Sequence, residues 1–395
     1  MSKTINPWVI FKAFLRLGCT SFGGPVAHIG YFRDEFVARR KWLDERSFAD
    51  LVALCQFLPG PASSQVGMGV GIAKAGVGGA LAAWLGFTIP SAILMLAFAY
   101  GLIEVGDTLG SGWLQGLKVM AVAVVAQAVW QMANTLCPDR TRRSFAIVAA
   151  VLVLVTQGPL GHVAAICLGA VMGRMFIANG VAAPAPSLTL PIGRKVGFAA
   201  LGVFFLLLAG LPVVAAVSGN HSVTVLDSFF RAGSLVFGGG HVLLPLLQAH
   251  VVPPGWVDND TFLAGYGAAQ ALPGPLFSIS AFLGAVTTPG GGVGLALLCL
   301  LGIFLPSFLL LVGVMPFWNA LRARPGIQSA LMGVNAAVVG LLVAVLYDPV
   351  WTGTIHGPKD LVLLLAAFGA LAIFKLPPWM VAIPAAVLGA VLAVL

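Results

Sequence analysis

The chain has 395 residues, of which 59% are hydrophobic and only 9% charged, and its formal net charge is +8. A soluble domain carries about 25% charged residues, so no globular core could hide this much apolar surface. The composition excludes a soluble protein, and the basic excess points to cytoplasmic loops of a membrane protein rather than to nucleic acid.

In chain order, the start MSKTINPWVIFKAFLRLG has no small-residue cleavage site and does not read as a signal peptide. A first apolar segment, a, contains SFGGPVAHIG (Ser21 to Gly30), where two adjacent glycines and a proline should break a helix. A second, b, breaks at CQFLPGP (Cys55 to Pro61). Four further apolar segments, c to f, read as ordinary spans, with e short; c covers residues 76 to 103, and e and f are joined by a tight Pro-containing break. A Pro- and Ala-rich linker, NGVAAPAPSLTLPIG, then leads into an extra span over 194 to 217. A bilayer span needs roughly 20 apolar residues.

The pattern then repeats. FLRLGCTSFGG (Phe14 to Gly24) matches FFRAGSLVFGG (Phe229 to Gly239), CQFLPGP matches AQALPGP (Ala269 to Pro275), and GFTIPS (Gly86 to Ser91) matches GIFLPS (Gly302 to Ser307), at offsets of 215, 214 and 216. The chain is an internal duplication: residues 1–178 form an N-terminal repeat, 179–221 a linker with its connecting span, and 222–395 a C-terminal repeat.

The basic residues give a topology. If a and b both turn back, every Lys and Arg outside the segments except Lys359 falls on one side of the membrane. If a and b cross instead, the five basic residues between 33 and 46 move to the other side. The positive-inside rule favours turning back. An even number of crossings per repeat plus one linking span makes the repeats inverted. The expected fold is an all-α integral membrane protein: two inverted-topology repeats with broken, re-entrant helix hairpins, joined by an extra transmembrane helix. The N-terminus is expected in the cytoplasm and the C-terminus in the periplasm.

Broken helices expose backbone groups at membrane depth, which is tolerated only where protein or a polar cavity satisfies them. Their N-terminal ends carry N–H groups and a positive dipole, which suit an anion. No Walker A, GxGxxG or HExxH pattern occurs, and no cofactor is expected. Cys19, Cys55, Cys137, Cys167 and Cys299 are scattered with no CxxC and read as core thiols rather than a metal site. With no paired carboxylates or Cys/His cluster, an enzyme is disfavoured. SFGGP, QFLPGP and GGALAAWLGFTIPS, with their second copies, resemble the CHR family of chromate transporters in its long two-domain form. The resemblance implies efflux of chromate across the bacterial inner membrane, with sulfate as a close structural mimic and membrane energy rather than ATP as the drive. Transport of sulfate or another oxyanion, or an anion channel, is the alternative; a homodimer is one assembly this reading admits.

Arg16 and Arg231 are equivalent, each seven residues before the first glycine of its break. An arginine at membrane depth is costly and marks function by default, against snorkelling or capping as the plain reading. Gly23, Gly24, Gly238 and Gly239 allow either close backbone approach to an anion or tight helix packing. Gly60 and Gly274 lie in the Pro-Gly-Pro breaks, preceded by the uncharged donors Gln56 and Gln270; Ser21, Ser63 and Ser278 supply hydroxyls there or cap the helices. His28 and His241 read as packed, and Lys118 as snorkelling.

The topology is tested by single cysteines at 40 and 258 on a cysteine-free background. A membrane-impermeant thiol reagent added to intact cells is expected to label position 258 and not position 40; the reverse pattern would overturn the charge count.

Overall fold

The computed structural model describes residues 5–105, 112–156, 158–177, 192–237, 242–322 and 324–394, and among these it contains helices and no strands. Gly238, Gly239 and His241 and most of the linker lie outside the described residues.

The first repeat opens with α1 (Pro7–Thr20), α2 (Gly24–Arg33) and α3 (Glu45–Phe57). Then come α4 (Ala62–Val105), α5 (Gly112–Leu136), α6 (Arg140–Thr156) and α7 (Pro159–Phe176). The connecting helix α8 covers Arg194–Ser218. The second repeat opens with α9 (His221–Leu235), α10 (Leu243–Val251), α11 (Asn259–Ala271) and α12 (Ile279–Val286). It continues with α13 (Val293–Val314), α14 (Trp318–Arg322), α15 (Pro325–Val345), α16 (Pro358–Ala372) and α17 (Pro378–Val394). Among the described residues, five helical stretches are long and apolar enough to cross a membrane: 62–104, 112–136, 194–218, 293–322 and 326–351. This is an all-α integral membrane protein.

The breaks fall where the glycines and prolines put them. α1 begins with Pro7 after Asn6, whose side chain accepts the Trp8 N–H, and ends at Ser21 in extended conformation. Gly23 and Gly24 then hold φ of 98° and 78°, a region open to glycine and strained for other residues. α3 and α11 carry the same cap, Asp44 and Asp258, each accepting a backbone N–H three residues on. The second half of segment b and all of segment c lie in α4, and they are separated, as the sequence reads them, by a kink at Ala75 and at Gly76, whose φ is 60°. The chain folds back there so tightly that a Cβ on Gly71 would lie 2.2 Å from the Gly79 carbonyl oxygen.

Helices α1 to α3 and α9 to α12 run from 8 to 15 residues each, too short to span. In each repeat the two hairpins bring their ends together. The Ile5 N–H, before α1, donates to the Lys74 carbonyl at the end of the second hairpin, at 3.1 Å. In the second repeat His221 packs edge-on against Trp256, and the Thr288 N–H donates to the Trp256 carbonyl at 2.9 Å. The start of α9, the α10–α11 turn and the end of α12 therefore meet. Contacts sort the other ends into two sets. Asp50 meets Trp318 and Arg322, Gly326 lies against Arg174, and Gly197 against Pro316. Lys118 pairs with Asp260 at 3.0 Å, and Gln115 donates to the Thr354 carbonyl at 2.7 Å. Lys118 thus ends in an ion pair between the repeats, on a carboxylate that is itself 65% exposed.

The repeats interlock. α5 packs against α16 and α17 of the second repeat, while α15 packs against α6 and α7 of the first. Both crossings use small residues four apart: Gly112 and Gly116 against Ala385 and Gly389, and Ser329 and Gly333 against Gly169 and Gly173. Without a hydrophobic drive between helices in lipid, such close backbone approach supplies the dispersion contacts. Both swapped helices are apolar nearly all round, and Val119 to Val125 of α5 are at most 1% exposed.

A Cβ on Gly116 would lie 2.1 Å from the Ala385 carbonyl oxygen, and one on Gly333 would lie 2.0 Å from that of Gly169. Gly116→Leu and Gly333→Leu are expected to destabilise the protein by about 3 kcal/mol or more, since backbone cannot yield as a side chain does. Gly202→Leu on α8, where nothing lies within 4 Å, should be neutral. Thermal unfolding in detergent measures the difference.

Candidate functional site

The described residues of the breaks meet between the interlocked repeats, and each junction is completed by the other repeat. The Gly60 N–H donates to the Val236 carbonyl at 2.7 Å, and the Gly274 N–H to the Ser21 carbonyl at 3.0 Å. These two bonds are equivalent under the duplication: each joins the Pro-Gly-Pro glycine of one repeat to the end of the first helix of the other. Both glycines have positive φ, 124° and 93°. Each also faces a serine of the opposite repeat. A Cβ on Gly60 would lie 2.1 Å from Ser307 Oγ, and one on Gly274 would lie 2.9 Å from Ser91 Oγ.

Around the Ser21–Gly274 junction several side chains are paired, while the Ser21 and Thr88 hydroxyls have no partner among the described residues. His28 Nε2 lies 3.2 Å from the Ser21 carbonyl oxygen, so that nitrogen carries the proton and donates. His28 Nδ1 then accepts from Ser63 Oγ at 3.4 Å. The ring is 1% exposed and packs edge-on against Phe87. Ser278 and Ser91 share a hydrogen bond of 2.6 Å, and Ser91 Oγ also donates to the Thr88 carbonyl. The Val236–Gly60 junction differs. Ser64 and Ser307 are the duplicates of Ser278 and Ser91, yet neither hydroxyl has a hydrogen-bond partner among the described residues. The same holds for Gln65 Oε1, while Gln65 Nε2 donates to the Pro59 carbonyl at 2.8 Å. Ser64, Gln65 and Ser307 are all at least 97% buried. Burying an unpaired hydroxyl costs about 1–3 kcal/mol, and both junctions carry such groups: Ser21 and Thr88 at one, Ser64 and Ser307 at the other.

The expected residues separate into two groups. Ser21, Gly60, Ser63, Gly274 and Ser278 come together at the junctions. Gly23 is exposed and Gly24 partly so, and nothing lies within 4 Å of a Cβ on Gly24; there the positive φ, not crowding, calls for glycine. Gln56 is exposed, and Gln270 partly buried with an unpaired Nε2 among the described residues. Arg16 sits on an exposed face of α1 with Lys12 and Thr20, a polar stripe recurring every fourth residue. Arg231 is ion-paired to Asp227 one turn earlier at 2.9 Å, with 39% of its side chain exposed. Sequence reading passed over Gln65, Thr88 and Ser307, although the GFTIPS and GIFLPS repeat contains two of the three.

Two cavities flank the centre. One, of about 140 Å³, is apolar and lies between α4 and α13, lined by Met68, Trp84, Phe304 and Phe308 among others. The other, of about 230 Å³, lies between α7, α10 and the end of α15 and includes His162, Gln248 and Asp348. Among the described residues no three His, Cys, Asp or Glu side chains cluster to hold a metal.

Duplicated broken-helix hairpins meeting at a buried polar centre are an arrangement found in transporters. The chromate transporter family model matches residues 8–174 and again 223–390, and the chain belongs to that family. It is a transporter and not an enzyme. The chain is 33% identical over 344 residues to a chromate transport protein of Pseudomonas aeruginosa, covering 86% of this chain and 80% of that one. It is 25% identical over 393 residues to a chromate transport protein of Cupriavidus metallidurans, covering 96% and 91%. An uncharacterized transporter of Methanocaldococcus jannaschii is 28% identical over 351 residues, covering 87% and 85%. No solved structure matches the chain.

Gly60→Ala and Gly274→Ala are each expected to cost about 1–3 kcal/mol through backbone strain and to break the junction they serve. Gly24→Ala meets no neighbour and should cost less. Unfolding temperatures of the three variants in one detergent test the order.

Proposed function

We propose that this protein exports chromate, a tetrahedral dianion, across the bacterial inner membrane by alternating access, with sulfate as its nearest competitor. The observation that carries the reading is the pair of reciprocal bonds Gly60–Val236 and Gly274–Ser21, which sets the N-terminal ends of broken helices from both repeats around one centre. The anion is held there by backbone N–H groups at the starts of α2 and α4 and by the hydroxyls of Ser21, Ser63, Ser64, Ser278 and Ser307. Gln56 and Gln270, with Gly23, Gly24, Gly238 and Gly239, shape its entry. The Lys12–Arg16–Thr20 face and Arg231 draw anions toward the two hairpin openings, because like-signed charge along a cleft raises the local concentration of counter-ions.

The inverted orientation of the repeats is supported by the contacts, since the two sets of loop ends correspond to the two sides in the charge count. The set containing Asp50, Arg174 and Arg322 is cytoplasmic in this reading, and the set containing Asp260, Thr354 and the C-terminus periplasmic. The two serine pairs support alternation. Ser91–Ser278 is joined while Ser64 and Ser307 are unpaired, and exchanging these states between the repeats re-opens the centre to the other face.

A dianion leaving a negative-inside cell gains about 2.3 kcal/mol per charge per 100 mV, or about 4.6 kcal/mol in all. Inverted membrane vesicles energised to an inside-positive potential are therefore expected to accumulate radiolabelled chromate saturably, to lose the uptake when the potential is collapsed, and to be inhibited by excess sulfate. Flux that rises linearly with chromate, without saturation, would identify a channel. Uptake of sulfate that chromate does not compete with would identify a sulfate carrier.

A further inference from the structure

A buried charge pair joins the repeats on the face that the charge count places in the cytoplasm. Asp50 lies on α3 and is 8% exposed; Arg322 ends α14 and is 9% exposed. Arg322 Nη1 donates to Asp50 Oδ1, and the Trp318 indole N–H donates to the same oxygen at 3.3 Å. Gln328 Nε2 donates to the Arg322 carbonyl at 2.8 Å and ties down the end of α14. Trp318 in turn packs edge-on against Phe57, with ring centroids 5.2 Å apart, and Phe57 is the last residue of α3 before the Leu58–Pro61 break. Asp50 thus stands seven residues, or about 10 Å of helix, before the point where α3 gives way to the Leu58–Pro61 break.

Such a pair is weak evidence for stability. Removing two ions from water cancels much of their attraction, and well-packed apolar residues of the same volume often do as well. A cation and an indole donor converging on a carboxylate form, chemically, a cradle for an oxyanion. The guanidinium fork matches two oxygens of a tetrahedral oxyanion, which a lysine would meet only as a point charge. The carboxylate brings one negative charge to this cradle, and chromate or sulfate brings two.

We propose that Arg322 and Trp318 form an entry site for a tetrahedral dianion, and that Asp50 is its built-in occupant, which the arriving substrate displaces. Displacement parts α3 from α14 and frees the mouth leading to the Gly60 break. This rests on the transport reading above and adds to it a recognition site outside the central junctions, on residues that carry no other assignment.

The test is equilibrium binding of radiolabelled chromate to the purified protein in detergent, with sulfate as competitor, for the wild type and two variants. Asp50→Asn keeps the shape of the carboxylate but removes the competing charge, and is expected to tighten chromate binding by roughly tenfold, within the range of an ordinary coupling between two ligands. Asp50→Asn/Arg322→Gln removes both charges and leaves no buried ion unpaired. It is expected to accumulate normally and to bind chromate roughly tenfold more weakly than the wild type. Wild-type affinity in the double variant overturns the proposal, because a merely structural pair can be neutralised without touching the ligand. Unchanged or weaker binding in Asp50→Asn at normal expression overturns it too. If Asp50→Asn does not accumulate, the double variant alone decides. A wild-type protein that binds neither chromate nor sulfate contradicts the transport reading itself, a different result from variants that match a binding wild type.

Discussion

Backbone amides cannot be left unpaired inside a bilayer, where each costs several kcal/mol and no water is at hand. Everything at the centre of this protein follows from that constraint. The chain has four breaks among its apolar segments, and it closes them on each other in two pairs through Gly60–Val236 and Gly274–Ser21. A break in one repeat is therefore stable only beside its counterpart. This makes the two halves obligate partners and gathers the N-terminal ends of several short helices at one place. The positive φ of Gly60 and Gly274 is the conformational cost of aiming those N–H groups across the repeat boundary.

The interlocking of α5 and α15 with the far repeat answers a second constraint. Lipid offers no hydrophobic drive for helix association, so close packing must supply it. Small residues at Gly112, Gly116, Gly169, Gly173, Gly333 and Gly389 allow backbone to touch backbone at both crossings. The two crossings form a rigid frame outside the breaks. The hairpins it encloses are short helices joined by hydrogen bonds that are few and exchangeable, which is where motion would be drawn from.

The difference between the two junctions is as informative as their likeness. The same serine duplicated gives a bond of 2.6 Å at Ser91–Ser278 and two unpaired hydroxyls at Ser64 and Ser307. His28 lies between Ser21 and Ser63 at one junction, and its positional duplicate is Leu243, whose side chain has no polar atom to offer. Two halves with nearly the same backbone plan thus carry different side chains at the point of contact. The junctions they form are polar, and the residues that make their hydrogen bonds include no lysine or arginine.

The amino-acid sequence by itself determined the membrane class, the duplication and the position of the breaks, and it supplied a charge pattern from which to argue the side of each basic loop. All of these are local: hydropathy, a proline, a pair of glycines or a run of arginines acts within its own stretch of chain. It also placed Ser21, Gly60, Ser63, Gly274 and Ser278 at the breaks, because the same motif recurs in both halves. It singled out Arg16 and Arg231 on equal grounds, but spacing alone does not say which side of a helix faces the centre, and the folded chain puts one on an exposed stripe and the other against Asp227. Only the tertiary structure decided which break meets which, that α5 and α15 change sides, and that Asp50 finds Arg322, which lies 272 residues away. Pairings of that kind depend on shape and on the mutual burial of polar groups. Neither partner carries a mark of the other in its own sequence.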